Sequence, residues 1–315
     1  MPAVGDLRNR MLALADPNAP GQAVHELLAR RLPASGSGSM LRRQMEGIAG
    51  RAPEDVRRLL RLCLDALPPD FDFRRASIGN LVLAGAWLAE GRSLVRATEV
   101  FSELVGARGT VRPVSEDDLH LAADLADGSV LVGQHRITDP GEADRRARIE
   151  RVHLVRSLDD PTPARTRPPA EVLELIGSAD LICFPVGSFF TSVLAALLPD
   201  GIAAAVAASE SPKVYVPNPC GDPEERGMSL EDKVRALRAH LVGASVVTGT
   251  AAASAQAVLD IVLVDEGLAR ANGSAFRAIE AMGICVVRAC LASRADPSRY
   301  DGAALADALI AMLPA

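Results

Sequence analysis

The chain has 315 residues, is 49% hydrophobic and carries 34 basic against 40 acidic side chains, for a net charge of -6. That length suffices for one large domain or two smaller ones, and so mixed a balance offers no basic face along which a phosphate backbone could track, which argues against nucleic acid as a partner. The five cysteines, Cys63, Cys183, Cys220, Cys285 and Cys290, are scattered and form no CxxC pair, so neither a disulfide framework nor a structural zinc site is expected and a reducing cytoplasm fits.

The opening MPAVGDLRNR holds an acid at Asp6 and lacks the apolar run of a secretory signal. Gly5, Asp6, Arg8 and Asn9 stand at a helix entry, where Asp6 caps the helix or holds a cation, and propensity favours the cap. Apolar residues at three- and four-residue spacing predict amphipathic helices over 6–32 and 52–66, with ASGSGS at 34–39 as a flexible loop between them. Two further helices are expected within 78–105, broken near Gly91 and restarted around Ser93. The first of these opens on Ser77, Gly79 and Asn80, so amides and polar groups gather at its positive end.

The periodicity then changes. LHLAADL at 119–125 alternates, Asp127-Gly128 is a turn signal, and SVLVGQH at 129–135 follows as the partner strand of a hairpin. After a strand RVHLVRS at 151–157 and a surface loop at 159–169, a short helix is expected at 170–177. From there strands and helices alternate: strands at 180–186, 213–218, 244–249, 260–266 and 284–289, with helices in 191–208, at 229–242, in a short piece after 249, at 273–282 and at the end. Such alternation implies βαβ crossovers and a largely parallel sheet covered on both faces. The apolar stretch 181–208 is broken by Pro185, Pro199 and Asp200 before it reaches the roughly 20 residues a membrane span needs, so no membrane partner is expected.

In sheets of this kind ligands collect at the carboxyl ends of strands. Gly187, Ser188, Phe189, Phe190, Thr191 and Ser192 follow one such end and open a helix, offering amides and hydroxyls to a phosphate or carboxylate; the plainer alternative is that Ser188 or Thr191 caps its own helix. Asn218 ends the next strand on the same rim, in a loop before a helix that Ser229 caps with Asp232 three residues on. Lys213, one of only two lysines with Lys233, lies at that strand's amino end and reads as structural. Cys220 has no histidine near it in sequence and reads as a bystander thiol; His25, His120, His153 and His240 have no metal-binding spacing.

Taken in order, GDLRN (5–9), SIGNLVLAG (77–85), RGTVRPVSEDDLHLAADLADGSVLVGQ (108–134), ADLICFPVGSFFTS (179–192) and KVYVPN (213–218) resemble the CofD/YvcK family over most of residues 2–245. That family includes 2-phospho-L-lactate transferases, which join a phospholactyl group from a nucleotide-diphosphate donor to a deazaflavin-precursor hydroxyl with magnesium. It also includes YvcK-type proteins that bind UDP-sugars and act in cell-wall and carbon-metabolism control. The resemblance implies an α/β fold, a Rossmann-like three-layer α/β/α sandwich with a mostly parallel sheet plus a helical and β-hairpin subdomain. It implies one CofD-like domain over 1–315, with a mainly helical part at 1–106, a hairpin insert at 107–158 and an α/β core at 159–315.

By the same resemblance Asp6 and Arg8 are catalytic and Asp6 holds magnesium. Gly5, Asn9, Gly79, Asn80, Gly187, Ser188, Thr191 and Asn218 bind substrate. In phosphoryl-type transfer the amides and hydroxyls of 187–192 would hold phosphate oxygens while Arg8 neutralises developing charge. The expected partner is a nucleotide-diphosphate-linked small molecule, with a homodimer as a possible assembly. The implied function is CofD-like transfer of a phospholactyl-type group to a hydroxyl; the alternative is a non-catalytic UDP-sugar or nucleotide-binding regulator. Two departures stand out. Phe184-Pro185-Val186 replaces the family's Gly-Pro before Gly-Ser, implying a different backbone path and a narrower mouth. The family's first strand, GGGTG-like turn and helix, and its following Asp-Asp-Gly-Gly-Ser-like loop, are not in this sequence, and Met1 falls where GDLRN begins, so either the true start lies upstream, which is the favoured expectation, or the chain is a fragment or degenerate member with part of its ligand site missing.

Overall fold

A computed structural model describes residues 4–16, 22–138, 147–247, 258–271 and 273–314. The chain divides into two compact units, residues 1–118 and 119–315.

The first unit is helical: α1 (Gly5–Ala13), α2 (Gln22–Ala29), α3 (Gly38–Arg51), α4 (Glu54–Ala66), α5 (Ile78–Ala89) and α6 (Leu94–Val105). The single helical stretch expected over 6–32 is two helices, and α3 occupies ground left without a helix in the sequence reading. Its start lies inside the expected 34–39 loop, because the Ser37 side chain accepts a hydrogen bond from the Met40 amide and caps Gly38 onward. Ser77 and Ser93 cap α5 and α6 in the same way. Helix α5 is apolar nearly all round and is the unit's centre, burying Ile78, Leu81, Val82, Leu83 and Ala86 among Leu59 and Leu60 of α4 and Phe101 of α6. Gly85 permits the α4–α5 approach: a Cβ there would lie 1.9 Å from the Leu59 carbonyl oxygen.

In the second unit the described strands make two four-stranded sheets. The antiparallel one has the order β2 (Val130–Val132), β1 (His120–Leu125), β3 (Ile149–Val155), β4 (Pro163–Ala164). The expected hairpin forms, with Gly128 at φ +83° and the Asp127 carboxylate accepting from the Ser129 amide and hydroxyl. Its second strand ends at Val132 rather than 135, because α7 (Gln134–Thr138) begins there. The other sheet is parallel, in the order β5 (Ile182–Phe184), β6 (Lys213–Tyr215), β7 (Ile261–Asp265), β8 (Cys285–Ala289). The fold is therefore mixed α/β, and the expectation of a mostly parallel sheet holds only for this second sheet.

Residues alternate across the parallel sheet. Val214, Val216 and Leu263 pack on one face with Leu305 and Leu309 of the C-terminal helix (Gly302–Ile310), whereas Tyr215 points the other way and meets Phe189 edge-on at 6.2 Å. The connections include α8 (Ala170–Gly177), α9 (Ile202–Ala208), α10 (Leu230–Val247), α11 (Glu266–Ala271) and α12 (Gly273–Ala281), which makes the C-terminal helix α13. The strand expected at 244–249 does not form over 244–247, since α10 runs through Val247; residues 248–257, including the short helix expected there, lie outside the described residues. No single described helix is long and apolar enough to cross a membrane. The apolar run Phe189–Leu197 and Ile202–Ala208 is bent by 78°, with Phe189, Phe190, Leu194 and Val206 buried.

Candidate functional site

The predicted site residues fall into two clusters, one in each unit. In the first unit, Gly5 starts α1, and Asp6 in the first turn is exposed. Two residues further along the helix, Arg8 turns inward and is only 3% exposed. Its Nη1 donates to the Ser77 hydroxyl and its Nη2 to the Asn9 side-chain oxygen. Arg8 thereby joins the start of α1 to the capped start of α5, where Ser77 also accepts from the Asn80 amide at 3.3 Å. Gly79 is small because the Arg8 stem lies across it. A Cβ at Gly79 would sit 2.7 Å from Arg8 Cδ and 2.6 Å from the Leu28 carbonyl oxygen.

The electrostatics of this cluster are unbalanced. Among the described residues Arg8 makes no ion pair with a carboxylate, and its Nε and the Asn80 side-chain oxygen are buried without a hydrogen-bond partner. Burial, then the proximity of Arg31, lowers the Arg8 pKa, and Asp6 opposes the shift. A guanidinium out of water with no counter-charge is expensive to keep.

In the second unit, Gly187 follows β5 with φ +154°, on the positive side where a Cβ is disfavoured. Its amide donates to the Asn218 side-chain oxygen at 3.0 Å and its carbonyl accepts from Asn218 Nδ2 at 2.8 Å. The asparagine side chain thus imitates a peptide unit and extends the pairing of β5 with β6 beyond their ends. Thr191 does not cap its own helix; its hydroxyl donates to Glu224 Oε1 at 2.6 Å, while the Thr191 and Phe190 amides donate to Glu224 Oε2 at 3.0 and 3.2 Å. Ser188 makes no side-chain cap either. Its hydroxyl, and the amides of Ser188 and Phe189, make no hydrogen bond to another described residue.

Glu224 was not signalled by the sequence reading. It is 3% exposed; burial raises its pKa, the hydrogen bonds from Thr191 and Phe190 act against that rise, and nearby Asp222 adds to it. Asp222 sets it in place by capping the short turn Pro223–Glu225 through the Glu224 amide. The only sign available in the sequence was two adjacent glutamates after a proline in a loop that otherwise reads as solvent-facing. The neighbouring Glu225 pairs with Lys233 at 2.8 Å in a buried contact.

Other expectations sort simply. Ser229 and Asp232 form the reciprocal cap expected before α10. Lys213 is structural: buried, it donates from Nζ to the Ser209 and Ser211 carbonyls at 2.6 and 3.0 Å. Cys220 is exposed. Among the described residues no three His, Cys, Asp or Glu side chains gather where they could hold a metal ion, and Asp6 by itself offers one exposed carboxylate. These residues do not make a magnesium site on their own.

The chain is similar to several known proteins. Against gluconeogenesis factors, the chain is 29% identical over 293 residues to that of Listeria monocytogenes, spanning 89% of this chain and 85% of that one. It is 33% identical over 171 residues to that of Bacillus subtilis, spanning 54% of this chain and 50% of the other. A provisionally named gluconeogenesis factor of Thermotoga maritima is 34% identical over 170 residues, 54% of this chain and 50% of its own, so the matched stretch is about half the length of that relative. The fold is shared with a UPF0052-family protein from Bacillus halodurans, at a TM-score of 0.68 and 23% identity over 98% of this chain and 84% of that one. A family profile described as 2-phospho-L-lactate transferase CofD matches residues 1–289, and the chain belongs to the CofD family.

Proposed function

We propose that this chain binds a nucleotide-diphosphate-linked small molecule through its phosphates and serves as a ligand-responsive protein of the gluconeogenesis-factor kind. One observation carries the reading: Arg8 is a buried cation with no acidic partner among the described residues, beside the capped N-terminus of the twelve-residue helix α5 and the unpartnered Asn80 oxygen. A phosphate supplies the missing charge, and the helix end favours it. In the second unit, the order β5–β6–β7–β8 with apolar cover on both faces supports a Rossmann-like three-layer arrangement. In such an arrangement, the carboxyl ends of β5 and β6 carry ligand groups, and Ser188 has its hydroxyl to offer there.

Transfer of a phospholactyl-type group is the second reading, favoured by the CofD profile. Arg8 would then offset charge developing on the transferred group. Magnesium would arrive with the ligand phosphates, Asp6 being a single carboxylate, and no step is assigned to it. Calorimetry with UDP-glucose and UDP-N-acetylglucosamine tests the first reading: saturable heat that Arg8→Met abolishes is expected, and no heat at millimolar ligand overturns it. Product formed from a nucleotide-activated phospholactate and a deazaflavin acceptor would establish the second.

A further inference from the structure

The donors at the start of the 189–197 helical run are the groups a phosphate would be expected to use, yet most are already engaged inside the protein. The Gly187 amide goes to Asn218, and the Phe190 and Thr191 amides with the Thr191 hydroxyl go to Glu224. Glu224 is carried by the loop after β6, 33 residues from Thr191 in the chain, and both residues are buried. Its two oxygens are arranged as an oxyanion would be, one taking two amides and the other a hydroxyl.

We propose that Glu224 is an internal anion that sets the 187–191 turn in advance and closes its amides to external ligands. Thr191 and Asn218 are then positioning residues and not ligand contacts. This refines the proposed site on the carboxyl rim and rests on that reading for its ligand part only. The chemistry distinguishes charge from geometry. A glutamine at 224 can keep its carbonyl oxygen under the two amides and donate from its Nε2 to the Thr191 oxygen, with the hydroxyl hydrogen turned away. Hydrogen-bond geometry survives without the charge. An alanine leaves all three donors buried and unpaired.

Backbone amide exchange on the full chain, read residue by residue by NMR, tests this. In the unliganded protein Phe190 and Thr191 should be protected, Glu224→Ala should speed their exchange by about tenfold or more, and Glu224→Gln should restore protection. Should the alanine variant fail to fold, Thr191→Val with Glu224→Gln still decides: that pair must leave the two amides protected, since the carbonyl oxygen remains. On adding UDP-glucose, the Gly187, Phe190 and Thr191 amides should keep their exchange rates. Unchanged exchange at 190 and 191 in a folded Glu224→Ala protein would show a passive glutamate and overturn the proposal. So would new shifts at 190 and 191 on UDP-glucose binding to wild type. If wild type binds no UDP-glucose, the proposed function fails, while the unliganded exchange still decides the role of Glu224.

Discussion

The two clusters handle the same problem in opposite ways. In residues 5–9 and 77–80 a cation is buried and its charge is left unbalanced: Arg8 has two polar neighbours and an unpartnered Nε. In residues 187–191 and 218–225 an anion is buried and its lone pairs are filled by neutral donors. The first arrangement still lacks a charge that a ligand can bring; the second has most of its donors engaged within the protein. Both sit at helix starts following small residues, so helix position alone does not tell a binding group from a scaffold.

The largest expected effect breaks the second cluster. Glu224→Ala strands two buried amides and a hydroxyl, which should cost roughly 3 kcal/mol of unfolding free energy; a loss under about 0.5 kcal/mol in urea unfolding, the range of ordinary surface substitutions, would show that the three bonds carry little. Next comes Gly79→Ala, whose Cβ meets the Leu28 carbonyl at 2.6 Å and the Arg8 stem at 2.7 Å. Since the carbonyl belongs to backbone, the cost should be about 2 kcal/mol, and a neutral result would mean that α2 and α5 part more easily than their packing suggests.

Arg8→Met sharpens the comparison from the other side. The stem over Gly79 is kept, the bonds to Ser77 and Asn9 are lost, and an unbalanced buried charge is removed, so stability should change by less than about 1 kcal/mol. Affinity for UDP-glucose should fall by about tenfold or more, roughly 1.5 kcal/mol. A strongly destabilised variant with unchanged affinity would make Arg8 a strut rather than a ligand group.

How far these clusters could be read in advance follows from the range of their interactions. Local signals served well: Asp127-Gly128 gave its turn, Ser229 with Asp232 gave its cap, and the four strands at 182–184, 213–215, 261–265 and 285–289 fall within their predicted ranges. What failed depended on distant partners or on competing propensities. Helix α3 hid behind a Ser-Gly stretch in which Ser37 is a cap and not part of a loop. The end of α10 overrode the β-branched Val246 and Val247. The family resemblance points to Arg8 as catalytic and to Gly79, Thr191 and Asn218 as substrate-binding, without showing what holds them. The bond from Arg8 to Ser77 crosses 69 residues and that from Glu224 to Thr191 crosses 33, and no pattern within one helix or loop reveals either.

The smallest effect isolates the charge on Glu224. Its folded-state pKa is raised, chiefly by burial, above the ordinary value of about 4.3. Over that interval the native protein holds the proton more tightly than the unfolded chain, so stability is full below the ordinary value and declines as pH rises through the raised one. Carboxylates such as Asp265 act in the reverse sense. Burial disfavours the Asp265 anion, but the amides of Ala292, Gly267, Leu291 and Leu268 outweigh it and lower the pKa, so its contribution is lost only as pH falls below the usual carboxylate range. The two windows do not coincide. Subtracting the unfolding free energy of Glu224→Gln from that of wild type cancels Asp265 and leaves Glu224 alone. That difference should shift in favour of the glutamine variant as pH rises above the ordinary carboxyl value of about 4.3. A flat difference would place the Glu224 carboxyl at its ordinary pKa, and the buried anion of the second unit would then cost no more than an exposed one.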